Sequence, residues 1–154
     1  MLQMQILRWV KMTLLAGAFA AVTACSSLPY ASSEASHDDL YNALGQQQGI
    51  ALIVEDMLYG VAGDARINHH FKGVDIVKLH QLLTEQFCDL SGGPCNYSGR
   101  SMAESHQGMG VDETDFNALV GHLILAMEKH DVPVPAQNRL LARLVPMHSE
   151  IVGH

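Results

Sequence analysis

Positive charge is scarce in this chain. Nine lysines and arginines stand against sixteen acids in 154 residues, a formal charge of -7. That balance argues against nucleic acid or an anionic lipid surface as a partner. Aromatics make up only 6%, so any core is mostly aliphatic, and the 48% apolar content is enough to build one. Strand signals are nearly absent, and no internal repeat is seen. No flavin or nicotinamide motif occurs, so multistep redox turnover would need an external reductase. The length fits one domain.

Long apolar runs are missing too, except near the start. "MLQMQILRWVK" carries Arg8 and Lys11 and no acid, and an apolar stretch follows from Met12 to Val22. This is too short to span a bilayer comfortably and has the layout of an export signal. Val22-Thr23-Ala24-Cys25 resembles the bacterial lipobox, which implies cleavage before Cys25 and lipidation of its thiol. Residues 1–24 are then a lipoprotein signal peptide. Residues 25–37 are a lipidated, Ser- and Ala-rich tether. Residues 38–154 are the folded domain. Removing the signal leaves 130 residues and takes the formal charge to -9, since two cations and no acids are lost. Ser26 follows the lipid cysteine. By resemblance to enteric sorting patterns, this places the protein in the bacterial cell envelope, on the outer membrane facing the periplasm. The lipid bilayer is then a partner through N-terminal acylation.

Only Cys88 and Cys95 remain. An even count in an oxidising compartment suggests a disulfide, worth roughly 2–3 kcal/mol in the chain-entropy model. Two unpaired buried thiols are the alternative. The pair alone is a poor metal site, because it supplies two ligands.

Helical spacing recurs through the folded part. "DDLYNALG" reads as a short helix, capped by Asp38 or Asp39 and ended by Gly45. "QGIALIVEDMLYGVAG" puts Ile50, Ile53, Val54, Met57, Leu58 and Val61 on one stripe. "VDIVKLHQLLTEQFCDLSGG" does the same for Ile76, Leu79, Leu82, Leu83, Gln86, Phe87 and Leu90, with Asp75 as cap and the glycines as stop. "DETDFNALVGHLILAMEKHDV" turns Phe116, Val120, Leu123 and Met127 inward. "VPAQNRLLARLVPMHSEIV" gives a last helix around Leu140, Leu141, Leu144 and Val145, kinked by Pro146. The fold class is all-α.

These segments resemble group 1 truncated globins in order. "LYNALG", "GIALIVEDMLYGVAGDARINHHF", "GVDIVKLHQLL", "GGPCNYSGRSMAESHQGMGV", "FNALVGHLILAM" and "VPAQNRLLARLVP" carry the resemblance over roughly 110 residues. It implies a globin-like two-over-two α-helical sandwich holding haem b (iron protoporphyrin IX) and a diatomic gas, O2, NO or CO. His106 corresponds to the proximal iron ligand, and a neutral imidazole held beside an apolar slot suits that task. Phe71 corresponds to an aromatic lying on the porphyrin. Tyr97 and Met102 correspond to its edge and proximal side, and Leu79 and Leu83 to its distal contacts. Arg100 corresponds to a position near a propionate. For Arg100 and Lys78 a solvated surface charge is an equal reading.

The distal side departs from the family. Leu58 stands where many members place a tyrosine. Tyr59 comes one residue later, about 100° further round the helix. With Leu79, Leu82 and Leu83 the distal wall is apolar, and Gln86 is the best remaining donor. A donor there lengthens the residence of dioxygen by a net 1–3 kcal/mol, roughly. Without one, O2 is held weakly and uncharged ligands are little discriminated. His69, His70 and His80 are candidates for a sixth ligand. His122, His130, His148 and His154 are expected to face solvent, and the histidines lack metal-ligand spacing. Two other readings stay open: a haem electron carrier or peroxidase-like protein, and a cofactor-free structural lipoprotein on a globin fold. On the first reading the protein binds ligand and is not clearly an enzyme, and any NO dioxygenase-like turnover depends on that external reductase.

Overall fold

A computed structural model describes residues 37–154. The signal segment, Cys25 and the tether up to residue 36 lie outside the described residues. All regular structure among those residues is helical. None of these helices is long and apolar enough to cross a membrane.

Helix α1 (His37–Ala43) begins at His37, so Asp38 and Asp39, one or other of them the expected cap, lie within its first turn. Gly45, in the left-handed region at φ 79°, turns the chain directly into α2 (Gln46–Gly63). A Cβ on Gly49 would meet the Leu44 carbonyl at 2.3 Å, so the tight α1–α2 joint needs glycine there. The six apolar residues expected on the inner stripe of α2 are the six it buries. This helix is central and packs on both α3 (Ile76–Leu90) and α5 (Glu113–Lys129). At Gly60 a Cβ would lie 2.5 Å from the His122 ring, which shows how closely α2 and α5 approach.

The core joins Leu40 and Leu44 with Ile53, Met57, Phe87, Leu123, Met127 and Leu140, so every long helix contributes to one cluster. Burying such side chains is worth roughly 1.5–3 kcal/mol each.

Three expectations need correction. Along α3 the buried residues are Thr84, Gln86, Phe87 and Cys88, while Ile76 is 45% exposed and Leu79, Leu82, Leu83 and Leu90 are half-buried. The stripe is real, but protein covers only its C-terminal half. On α5, Ala118 and Ala126 are buried with Leu123 and Met127, while Phe116 and Val120 are half-buried. Ala118 packs with Val61 of α2 and Ile67, while Phe116 meets the His148 ring edge-on at 4.7 Å. After α6 (Val134–Leu144), Pro146 converts the chain to a 3-10 turn over Val145–Met147 before α7 (His148–Ile151). Val145 is exposed rather than inward, because the turn rotates it off the α6 face.

Candidate functional site

The site is built from the chain that leaves α3. Asp75 caps that helix by accepting from the Lys78 amide at 3.0 Å. At its other end the Cys88 carbonyl accepts from Gly93 N–H (2.8 Å) and Ser91 Oγ (2.9 Å). A disulfide joins Cys88 to Cys95, with Cα atoms 5.7 Å apart. Two acids one helical turn apart on α3 hold the next residues. Asp89 accepts from Tyr97 N–H at 3.2 Å and Glu85 accepts from Ser98 Oγ at 2.6 Å. The Ser98 hydroxyl, with Gln81, holds the Glu85 carboxyl below its ordinary range. The Tyr97 hydroxyl donates to the Arg100 carbonyl at 2.9 Å, folding its ring over Gly99, and burial pushes that phenol up.

The loop thus delivers Ser101 to the start of α4 (Met102–His106), only five residues long. A helix this short is marginal by propensity alone. Its stability comes from a capping box. Ser101 Oγ accepts from Glu104 N–H, and the Glu104 carboxylate accepts from Ser101 N–H at 3.1 Å. The box satisfies two end donors that would otherwise be unpaired.

His106 closes α4. Its Nδ1 lies 2.8 Å from the Met102 carbonyl oxygen. A carbonyl only accepts, so Nδ1 carries a proton, and in the neutral ring Nε2 keeps its lone pair. That is the tautomer a metal ligand needs, with the carbonyl orienting the ring. Beyond it Gly108 and Gly110 take positive φ and turn the chain away. The C-terminus holds this exit: Gly110 N–H donates to the His154 carbonyl (2.8 Å) and Gly153 N–H to the Val111 carbonyl (3.0 Å). A cavity beside His106 is walled mostly by apolar side chains, Ile67, Phe71, Met109, Val111, Phe116, Leu119 and Ile151, together with the His70–Asp115 pair. A histidine whose Nδ1 is already bonded, lining a mostly apolar cavity, is the kind of donor that haem requires, so the residues present fit it.

The structure brings Phe71 and His106 onto this one cavity. Met102 is half-buried at the head of α4, and Leu79 and Leu83 are half-buried against the core. Leu82 is half-buried outside it, while Leu58 is buried in the core. Tyr59 is 83% exposed and offers the interior no hydroxyl. Arg100 and Lys78 are exposed.

Gln86, expected as the remaining distal donor, is 5% exposed and already engaged. Its Nε2 lies 3.5 Å from Met102 Sδ and 3.8 Å from Met147 Sδ. The amide therefore bridges α3 to α4 and to the 3-10 turn. Met147 was missed, and its one signal was its place next to Pro146. His80 is likewise committed, with Nε2 2.9 Å from the Ala51 carbonyl on α2.

The histidines expected to face solvent are mostly paired instead. His122 meets Asp64 at 2.9 Å, His130 meets Asp56 at 2.7 Å and His148 meets Glu113 at 3.1 Å. Only His154 among those four is exposed, with Nε2 on the Ser149 carbonyl. Asp64 also takes Arg66, and Arg66 then His122 hold its carboxyl well below the carboxylate range.

A helical sandwich that presents a carbonyl-oriented histidine to an apolar slot defines a globin. The family model for bacterial-like globins matches residues 39–152. The group 1 truncated haemoglobin GlbN of Mycolicibacterium paratuberculosis is 29% identical over 112 residues, 73% of this chain and 82% of that protein. That of Nostoc commune is 28% identical over 74% of this chain and 97% of its own. Among solved structures, Fe(III) truncated haemoglobin from Tetrahymena pyriformis superposes with a TM-score of 0.72 at 25% identity, covering 75% of this chain and 98% of that one. The 2/2 haemoglobin of Synechococcus sp. PCC 7002, in the cyanomet state with covalently attached haem, gives 0.69 over the same shares. The chain belongs to the bacterial-like globin family, and its relatives are group 1 truncated haemoglobins. Its fold is the two-over-two sandwich, and membership implies haem and gas binding.

Proposed function

We propose that this chain is a lipid-anchored envelope globin that binds diatomic gases through haem b. The observation that carries the reading is His106, whose Nδ1 is spent on the Met102 carbonyl so that Nε2 is left as a donor. Haem supplies a ferrous iron able to take O2, NO or CO. Everything else falls to the chain. His106 Nε2 would hold the iron, and the Met102 carbonyl on Nδ1 would orient the ring and raise its basicity. Phe71 and its apolar neighbours exclude water. Tyr97 and Met102 would border the group, and the exposed Arg100 and Lys78 would be the cations available to its carboxylates.

Leu58, Leu79, Leu82 and Leu83 give the distal side no hydrogen-bond donor. Gln86 donates to thioethers, which are weak acceptors. Such a wall favours exchange or chemistry of NO and O2 over storage of O2. Turnover draws electrons from an external reductase. The test is the ferrous form of the full chain. It should bind CO in a second-order step and release O2 quickly. Substituting Leu79→Gln should slow O2 release roughly tenfold, the effect of one donor worth about 1.4 kcal/mol. A ferrous form that refuses CO would favour electron transfer and sink the gas-binding reading.

The envelope assignment rests on the charged start, apolar centre and Cys25. It predicts that radiolabelled fatty acid enters the wild type and that Cys25→Ala abolishes incorporation. Equal labelling of the two would remove the anchor from the account.

A further inference from the structure

Among the described residues, three side chains outside the histidine pairs already named converge at the corner before Phe71. His69 and His70 sit in a 3-10 turn (Asn68–Phe71) that brings their ring centroids to 4.0 Å, tilted by 38°. Asp115 arrives from the first turn of α5, and its Oδ2 lies 3.0 Å from His70 Nε2. One donor atom from each residue falls within 4.8 Å of the other two. We propose that His69, His70 and Asp115 bind one divalent transition-metal ion of borderline softness, zinc or copper(II).

The spacing favours a metal. Zinc takes imidazole nitrogen and carboxylate oxygen at about 2.0–2.2 Å, which puts tetrahedral donors roughly 3.4 Å apart. His70 and Asp115 already stand near that separation, and the ion would replace the proton between them. His69 is exposed and its ring already lies against that of His70, so its donor atom needs to close only part of the 4.8 Å limit. The same Asp115 Oδ2 also accepts from Asp112 N–H at 3.2 Å, which fixes the orientation of the carboxylate. Three protein donors leave one position for water on the exposed side. Two imidazoles and one carboxylate suit zinc and copper, whereas magnesium and calcium want oxygen alone. The other histidine–carboxylate pairs, His122–Asp64, His130–Asp56 and His148–Glu113, bring no third donor of this kind within reach among the described residues. The site also adjoins the slot, since His70 and Asp115 line the same cavity as His106. The inference itself does not depend on haem being present.

The experiment is a titration of the purified full chain with zinc against a chromophoric competitor of micromolar affinity. One zinc per chain should be taken up, displaced by copper(II) and indifferent to excess magnesium. His69→Ala and Asp115→Asn should each weaken uptake at least tenfold, with unchanged far-ultraviolet circular dichroism for the His69 variant. His130→Ala, which removes a two-donor pair, should leave uptake unchanged. No uptake from the competitor, or equal uptake by wild type and His69→Ala, would overturn the proposal.

Discussion

Cutting the Cys88–Cys95 bond should destabilise the domain mainly through its unfolded state. The native turn has other ties. Gly93 N–H and Ser91 Oγ hold the Cys88 carbonyl, while Asp89 and Glu85 hold Tyr97 and Ser98. The bond spans a sequence separation of 7. Closing so short a loop costs the unfolded chain roughly 8 cal/mol/K, or about 2.5 kcal/mol at room temperature. Cys95→Ala is the cleaner cut, because Cys88 is fully buried and its sulfur can stay in place. The urea midpoint should fall by about 1–2 M and the thermal midpoint by roughly 10 °C. Wild type in reductant should match the variant, and the variant should ignore reductant. A loss under about 0.5 kcal/mol, or a wild type unmoved by reductant, would refute the loop-entropy reasoning.

Other outcomes follow from single contacts. Gly93→Ala places a Cβ 2.5 Å from the Tyr41 ring and 2.7 Å from Cys88 Sγ, so it should cost about 1–3 kcal/mol in chemical denaturation. Met57→Ala opens a cavity in the core and should cost about 2–5 kcal/mol by the same assay. The Asp64 carboxyl is depressed by Arg66 and His122, so its contribution is present above the ordinary carboxylate pKa and fades as pH falls toward the folded value. Thermal midpoints taken from pH 5 down to 2.5 should therefore fall less steeply for Asp64→Asn than for wild type. Phe71→Ala should speed haem transfer to a scavenger globin at least tenfold, which corresponds to losing about 1.4 kcal/mol of contact.

Much of the fold is legible because apolar spacing reports which residues share a face. On α2 that face is covered along its whole length, and the stripe and the buried set coincide. On α3 the same pattern continues past the point where protein covers it, so Ile76 belongs to the stripe and is still exposed. Periodicity cannot say whether the partner of an apolar face is protein or a bound group. The histidine pairings lie beyond sequence reasoning for another reason. Their partners are 35 to 74 residues away, and only the packing of α2 on α5 or of the C-terminus on α5 brings them together. Gln86 shows the same limit, since its thioether partners come from α4 and the last turn. The sequence does hold a local signal for α4: Ser101-Met102-Ala103-Glu104 spells a capping box, and that box starts the helix that carries His106.

The central claim is that His106 Nε2 binds haem iron. It is tested most directly by supplying haem to the full chain and to His106→Ala and recording both absorption spectra, oxidised, reduced and reduced with CO. The account predicts a Soret band with histidine-ligated features in wild type and their loss in the variant, recovered when imidazole is added. Spectra that coincide between the two proteins, or a wild type with no Soret band at all, would contradict it.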